Sequence, residues 1–159
     1  MVKIEMEPVG FVKGNAFGRE VRNKARISEI IIQSDLKAAL DGIKDFSHLF
    51  IIFWMNRISE DKRRRLKVHP RGRKDLPLLG VFATRTPCRA NPIGLTLVEL
   101  LEVQENVLTV RGLDALDGTP ILDIKPFDLW DMKEDVKVPE WWIKMEKDRA
   151  AKGQVNDTK

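Results

Sequence analysis

The chain has 159 residues, 43% hydrophobic and 33% charged, with a formal net charge of +4. These totals exclude a disordered chain and describe a globular one, long enough to bury a core as a single domain. The lone cysteine, Cys88, excludes an intramolecular disulfide and fits a reducing cytoplasm, and the longest apolar run, Leu49 to Met55, is too short to span a membrane. The N-terminal MVKIEMEPVG has no apolar stretch of the kind a secretory signal carries. With only His48 and His69 beside Cys88, no metal site is expected.

In chain order, Pro8 to Val12 reads as a short strand, followed by a Gly-Asn-Ala-Phe-Gly loop. Ala25 to Ile32 is rich in isoleucine and reads as a second strand. Ser34 is placed to cap a short helix over 35–40 that Gly42 stops. The aromatic and β-branched run Phe46 to Asn56 is expected to be a strand buried on both faces. Leu95 to Val103 and Val107 to Arg111 flank Gln104-Glu105-Asn106 and predict a hairpin. DALDGT, 114–119, is a turn, and Ile121 to Lys125 a further strand. Pro139 can open a helix running to about Arg149, with Trp142 and Met145 on one face. Hairpin-linked strands with few helices imply a mainly β fold, a single antiparallel barrel over 1–138, with a C-terminal helix and polar tail over 139–159.

Charge is unevenly spread. Between Lys62 and Lys74 lie eight Lys or Arg and His69 with no acid. Such a run is either a solvated loop or a phosphate-facing patch, because each neutralised phosphate releases condensed counterions. Directly after it comes TRTPCRANPIG, 84–94, where Pro87 and Pro92 stiffen a loop carrying Arg85 and Arg89. Their guanidinium forks suit carboxylate or phosphate. No GxGxxG joins a strand to a helix and no GxxxxGK[ST] is present, so neither a Rossmann fold nor a P-loop is indicated. What remains is a set of polar residues at strand ends: Asn56, Arg57, Thr84, Arg85, Arg89, Asp114, Asp117, Asp123 and Lys125. Strand ends of a barrel converge on one rim, where small-molecule sites form. Asp123 and Lys125, two apart on a strand, share a face and can equally be a simple ion pair.

Three stretches, FSHLFIIFWMN, LKVHPRGRKDLPLLGVFATRTPCRANPIGLTLVEL and GLDALDGTPILDIKPF, resemble the TrmO/TsaA-like family, also called VirR-like, over roughly residues 7 to 128. The resemblance implies a barrel that binds S-adenosyl-L-methionine, forms a homodimer, and methylates N6 of threonylcarbamoyl-adenosine 3′ of the tRNA anticodon. By motif, the cofactor site would draw on Asn56, Arg57, Arg85, Leu95 and the turn Leu113, Asp114, Ala115, Leu116 and Asp117. The family's Pro-Arg-Gln-Gly segment falls at Val21-Arg22-Asn23-Lys24, adding Arg22 and Asn23, and its Lys-Pro-Tyr is Lys125-Pro126-Phe127 here. Asp117, Asp123 and Lys125 are the candidate catalytic residues, since an acceptor must orient or deprotonate the weakly nucleophilic amine. The tRNA anticodon stem-loop would lie on Arg63, Arg64, Arg65, Lys67, His69, Arg71, Arg73, Lys74 and Arg89, with no membrane or metal as partner. The competing readings are a same-fold methyltransferase acting on a small molecule and a non-enzymatic RNA-binding barrel. Scarce exposed aromatics in the basic run weigh against the last.

Overall fold

The computed structural model describes residues 2–14 and 18–154. Its strands are β1 (Gly10–Lys13), β2 (Ile27–Ile32), β3 (His48–Trp54), β4 (Lys67–Val68), β5 (Leu79–Gly80), β6 (Ile93–Gln104), β7 (Val107–Arg111) and β8 (Pro120–Pro126). Six of them close into a barrel in the order β1-β2-β7-β6-β3-β8, every neighbour antiparallel. β4 and β5 form a separate two-stranded ribbon. The chain divides into two compact units, one running to Arg65 and including Pro87–Asp131, the other comprising Leu66–Thr86 and the segment from Met132. The first contains the barrel. The second contains the ribbon and the helix α2 (Glu140–Gln154). No helix among the described residues is long and apolar enough to cross a membrane.

Alternation builds the barrel. Along β2, β3 and β7 every second residue is buried, so Ile30, Ile32, Leu49, Ile51, Phe53, Leu108 and Val110 fill one interior with Val12, Val98 and Ile121. The predicted hairpin forms as β6–β7, with Glu105 held at φ 56 in the left-handed region. The aromatic run around β3 is buried on one face only, not both. A closed barrel has a single interior, so His48, Phe50, Ile52 and Trp54 are left half-buried outside it. Register sets them beside Glu99, Leu97, Leu95 and Ile93 of β6. Ile93, Leu95 and Leu97 are themselves exposed, making an apolar outer wall.

Two helical expectations change in detail, and one short helix is new. Residues 34–40 form a 3-10 helix that begins after Gln33, without a side-chain cap from Ser34. Within the basic region a single turn, α1 (Glu60–Arg63), precedes β4. α2 continues to Gln154, and its covered positions among the described side chains are Trp141, Met145, Glu146 and Asp148, of which Trp141, Met145 and Asp148 form one stripe at i, i+4 and i+7. Trp142 falls outside that stripe and is exposed.

The Asn-Pro-Ile-Gly motif has a packing explanation. A side chain on Gly94 would place its Cβ 2.2 Å from the Phe53 ring, which fills the barrel at that level. Pro92, just before it, is fully buried. Gly94→Ala is therefore expected to cost about 1–3 kcal/mol in urea unfolding, as overpacking does. Adding Phe53→Leu should recover part of that loss, and a double mutant no better than the single would show that the ring is not the obstacle.

Candidate functional site

One end of the barrel gathers the ends of β1, β3 and β7 with the starts of β2, β6 and β8. The turn 112–119, joining β7 to β8, crosses it. Gly112 at φ 90 leaves β7, and Gly118 at φ 71 turns the chain back into β8. Between them the side chains alternate: Leu113 and Ala115 are buried in the core, while Asp114 and Asp117 are exposed.

Both acids are fixed. The Asp114 carboxylate accepts the hydroxyl of Thr96, a buried residue of β6. Asp117 Oδ1 accepts the Gly14 N–H at 3.0 Å. The neighbouring Gly118 N–H donates to Val12 O at 2.8 Å, so the turn is stitched to β1. Three cations hold its carbonyls: Lys24 Nζ donates to Gly112 O at 3.1 Å, Arg26 Nη2 to Ala115 O at 3.1 Å, and Arg57 Nη2 to Asp117 O at 2.9 Å. Arg26 also donates to Ser28 Oγ at 2.8 Å, yet its Nε and Nη1 are buried without a hydrogen-bond partner among the described residues. Buried orphan donors are rare enough in native proteins to mark a site.

Of the expected cofactor residues, Arg57, Asp114, Leu116 and Asp117 meet at this rim, and exposed Asn56 follows β3 there. Arg22, also exposed, ends a 3-10 turn leading to β2, and the Asn23 side chain accepts the Ala25 N–H at 3.0 Å. Leu113 and Ala115 turn into the core and can meet a ligand only through backbone. Leu95 points to the outer wall, the face opposite Thr96. Arg85 belongs to the second unit, where it is exposed, and half-buried Arg89 belongs to the first.

Asp123 and Lys125 do not reach the rim. They pair with each other at 2.9 Å on the outer face of β8, opposite Ile52 and Phe50. Asp123 lies three residues, about 10 Å, along the strand from Pro120. Phe127, in place of the family tyrosine, is at the other end of the barrel, packed edge-on against Phe50 at 5.6 Å. A phenol there would not face the 112–119 turn.

The basic run is divided in use. Arg63 stacks over Trp54 at 5.3 Å and donates through Nε to Ala90 O at 3.2 Å, bracing the 87–92 loop. Arg64 pairs loosely with Glu60 at 3.6 Å. In the second unit, Arg71 reaches Glu146 at 3.8 Å, and Arg73 reaches Asp75 and Asp148 at 2.5 and 2.6 Å. Lys144 of α2 adds a bond to Asp75. The Arg73 guanidinium holds the Asp75 carboxyl well below the usual carboxylate range, and Asp75 and Asp148 in turn raise the guanidinium. His69 Nδ1 donates to Leu76 O at 2.8 Å. Arg65, Lys67 and Lys74 are exposed. Sequence reasoning missed Lys24 and Arg26, whose only local signal is a basic residue at the mouth of a strand. It also missed the α2 acids that occupy Arg71 and Arg73, because those partners lie some seventy residues away. Among the described residues, no group of three His, Cys, Asp or Glu is arranged to hold a metal ion.

This is a closed barrel with a polar rim of acids and guanidinium groups. Residues 14–130 match the family described as tRNA-methyltransferase O N-terminal domain, and the chain belongs to that family. The chain is 42% identical over 127 residues to the S-adenosyl-L-methionine-binding protein of Archaeoglobus fulgidus, covering 77% of this chain and 88% of that one. It is 45% identical over 131 residues to the "Probable S-adenosyl-L-methionine-binding protein" of Methanothermobacter thermautotrophicus, with 79% and 91% covered. Among solved structures it resembles TrmO from Pseudomonas aeruginosa, with a TM-score of 0.67 at 27% identity over 86% of this chain and 61% of that one.

The half-satisfied Arg26 guanidinium makes a stability test possible. Removing Arg26 loses two hydrogen bonds but also removes two buried donors that have no acceptor among the described residues. Arg26→Met should unfold thermally within about 1 kcal/mol of wild type, or above it, because buried unpaired charge is costly. A loss of about 3 kcal/mol or more would mark Arg26 as a structural clamp instead.

Proposed function

We propose that this chain is an S-adenosyl-L-methionine-dependent methyltransferase of tRNA, acting on N6 of the (threonylcarbamoyl-)adenosine 3′ of the anticodon. The observation that carries the reading is the rim around residues 112–119, set within a family match that spans it. The residues present suit the cofactor. Buried Arg26 donors, lacking an acceptor among the described residues, suit a carboxylate, and exposed Asp114 and Asp117 offer acceptors to an ammonium or ribose hydroxyl. Arg22, Asn23, Asn56 and Arg57 would line the same mouth.

When bound, the cofactor supplies a methyl group already activated on sulfonium, so the protein's task is alignment. Asp117 is suited to it. Its Oδ1 is held by the Gly14 N–H and its carbonyl by Arg57, which fixes the carboxylate and directs Oδ2 to accept a proton from the target amine. Accepting that hydrogen bond orients the amine and favours loss of its proton after transfer. Asp123 and Lys125, spent on each other, have no part in this step. An anticodon-loop base is already largely unpaired, so extruding it costs little.

Calorimetric titration with S-adenosyl-L-methionine and nucleoside analysis of tRNA after incubation test the reading together. Asp117→Asn should lower the methylation rate at saturating tRNA by roughly 10²- to 10⁴-fold with tRNA affinity retained. Cofactor binding without methylated tRNA would favour the small-molecule enzyme, and absent cofactor binding would favour a non-enzymatic RNA binder.

The homodimer belongs to the same proposal, and the apolar outer wall of β3 and β6 is the surface that suits it, with Ile93, Leu95 and Leu97 exposed side by side. Leu95→Asp with Leu97→Asp should shift light-scattering mass from dimer to monomer. A wild type that is monomeric and active would remove the dimer from the scheme.

A further inference from the structure

The barrel interior is hydrocarbon except beside the rim. Among the described residues the buried polar side chains are Ser28, Thr96 and Thr119, near the rim ends of β2, β6 and β8. Thr96 is 6% exposed and faces inward between Gly94 and Val98. A valine there would have the same shape, and a hydroxyl in such surroundings is unfavourable unless it is bonded. The Thr96 hydroxyl is bonded, and its partner is Asp114 Oδ1.

Strand register shows what this bond is for. β7 ends at Arg111, opposite Glu99, so residues 93–98 of β6 pair with β3 on one side and with no strand on the other. Thr96 to Asp114 is the one hydrogen bond among the described residues that joins this open stretch to the turn 112–119. The backbone of the turn does not need it. Lys24, Arg26 and Arg57 hold the carbonyls of Gly112, Ala115 and Asp117, and the N–H groups of Gly112 and Gly118 donate to Arg26 O and Val12 O at 2.9 and 2.8 Å. What Thr96 holds is a side chain. Asp114 is exposed and makes no other side-chain hydrogen bond or ion pair among the described residues, which leaves Oδ2 as an acceptor at the rim.

We propose that Thr96 is a positioning residue for the cofactor: by engaging Asp114 Oδ1 it sets the carboxylate so that Oδ2 accepts a hydrogen bond from the ammonium or a ribose hydroxyl. This rests on the reading of the rim as a site for S-adenosyl-L-methionine and adds the residue that prepares its acid. An exposed carboxylate free to turn about its side-chain bonds must be ordered when the ligand arrives. One already held from the barrel interior need not be, and the ordering cost is removed from binding. Thr96 itself, buried behind the acid, acts only through Asp114.

Calorimetric titration of the full-length protein with S-adenosyl-L-methionine tests this. Thr96→Val keeps the shape and removes the hydroxyl, and should weaken binding roughly 2- to 12-fold, whereas Thr96→Ser should bind as wild type. Asp114→Ala should weaken binding roughly 13- to 160-fold. On that background Thr96→Val should add no further loss, whatever either change does to the urea midpoint, because nothing remains for the hydroxyl to position. A second ligand, 5′-methylthioadenosine, keeps the ribose and lacks the amino-acid end. If Thr96→Val weakens it by the same factor, Asp114 serves the ribose; if its affinity is unchanged, Asp114 serves the ammonium. Wild-type cofactor affinity in Thr96→Val or in Asp114→Ala overturns the inference and spares the cofactor site. So does a loss on Thr96→Val that persists undiminished in the Asp114→Ala background, since the hydroxyl would then act on the fold rather than on the acid. Failure of the wild type to bind the cofactor overturns both.

Discussion

An aromatic ring occupies the space where Gly94 has no side chain, and the geometry of the rim depends on that contact. Phe53 can point inward only because β6 carries a glycine opposite it. With the ring inside, β3 keeps its alternation through Leu49 and Ile51, and its last residues arrive at the barrel mouth in a defined register. Met55 N–H then donates to Pro92 O at 2.8 Å, which brings Asn56 and Arg57 out over the rim. Arg57 in turn holds the carbonyl of Asp117. A packing constraint deep in the interior is thus transmitted, in a few residues, to the carboxylate that does the proposed chemistry.

The rim is organised by donors directed at one turn. Lys24, Arg26 and Arg57 each take a different carbonyl of the 112–119 segment. Pinning backbone in this way leaves both side-chain carboxylates facing outward, where a ligand can use them. It also gathers three cations at one turn, and at Arg26 two buried donors have no acceptor among the described residues. A fold selected for stability alone would carry a hydrocarbon there. Retaining a guanidinium with idle donors is the kind of local cost that binding sites carry and that ligand binding offsets.

The strands were legible from the sequence because alternation is local: β2, β7 and the β6–β7 hairpin follow directly from where isoleucine, valine and leucine recur. β3 misled in an instructive way. After His48 its residues are apolar at every position, which in an open α/β sheet means burial on both faces, whereas a closed barrel covers only one. The excess hydrophobicity of Phe50, Ile52 and Trp54 is therefore a statement about the outer wall. The turn 114–119 was located as a segment, but composition could not say that Leu113 and Ala115 face the core while the two acids face out. Lys24 and Arg26 were invisible because their partners are backbone carbonyls nearly ninety residues on.

The basic run shows most clearly what charge counting cannot deliver. Eight cations in thirteen residues read as a phosphate surface, and a linear electrostatic argument would weight them equally. In three dimensions one stacks on tryptophan, and two more are answered by Asp75 and by the acids of α2, which begins beyond the residues of the family match. A guanidinium already bonded to two carboxylates must break those bonds before it can take a phosphate, so its contribution to affinity is the difference between two similar interactions.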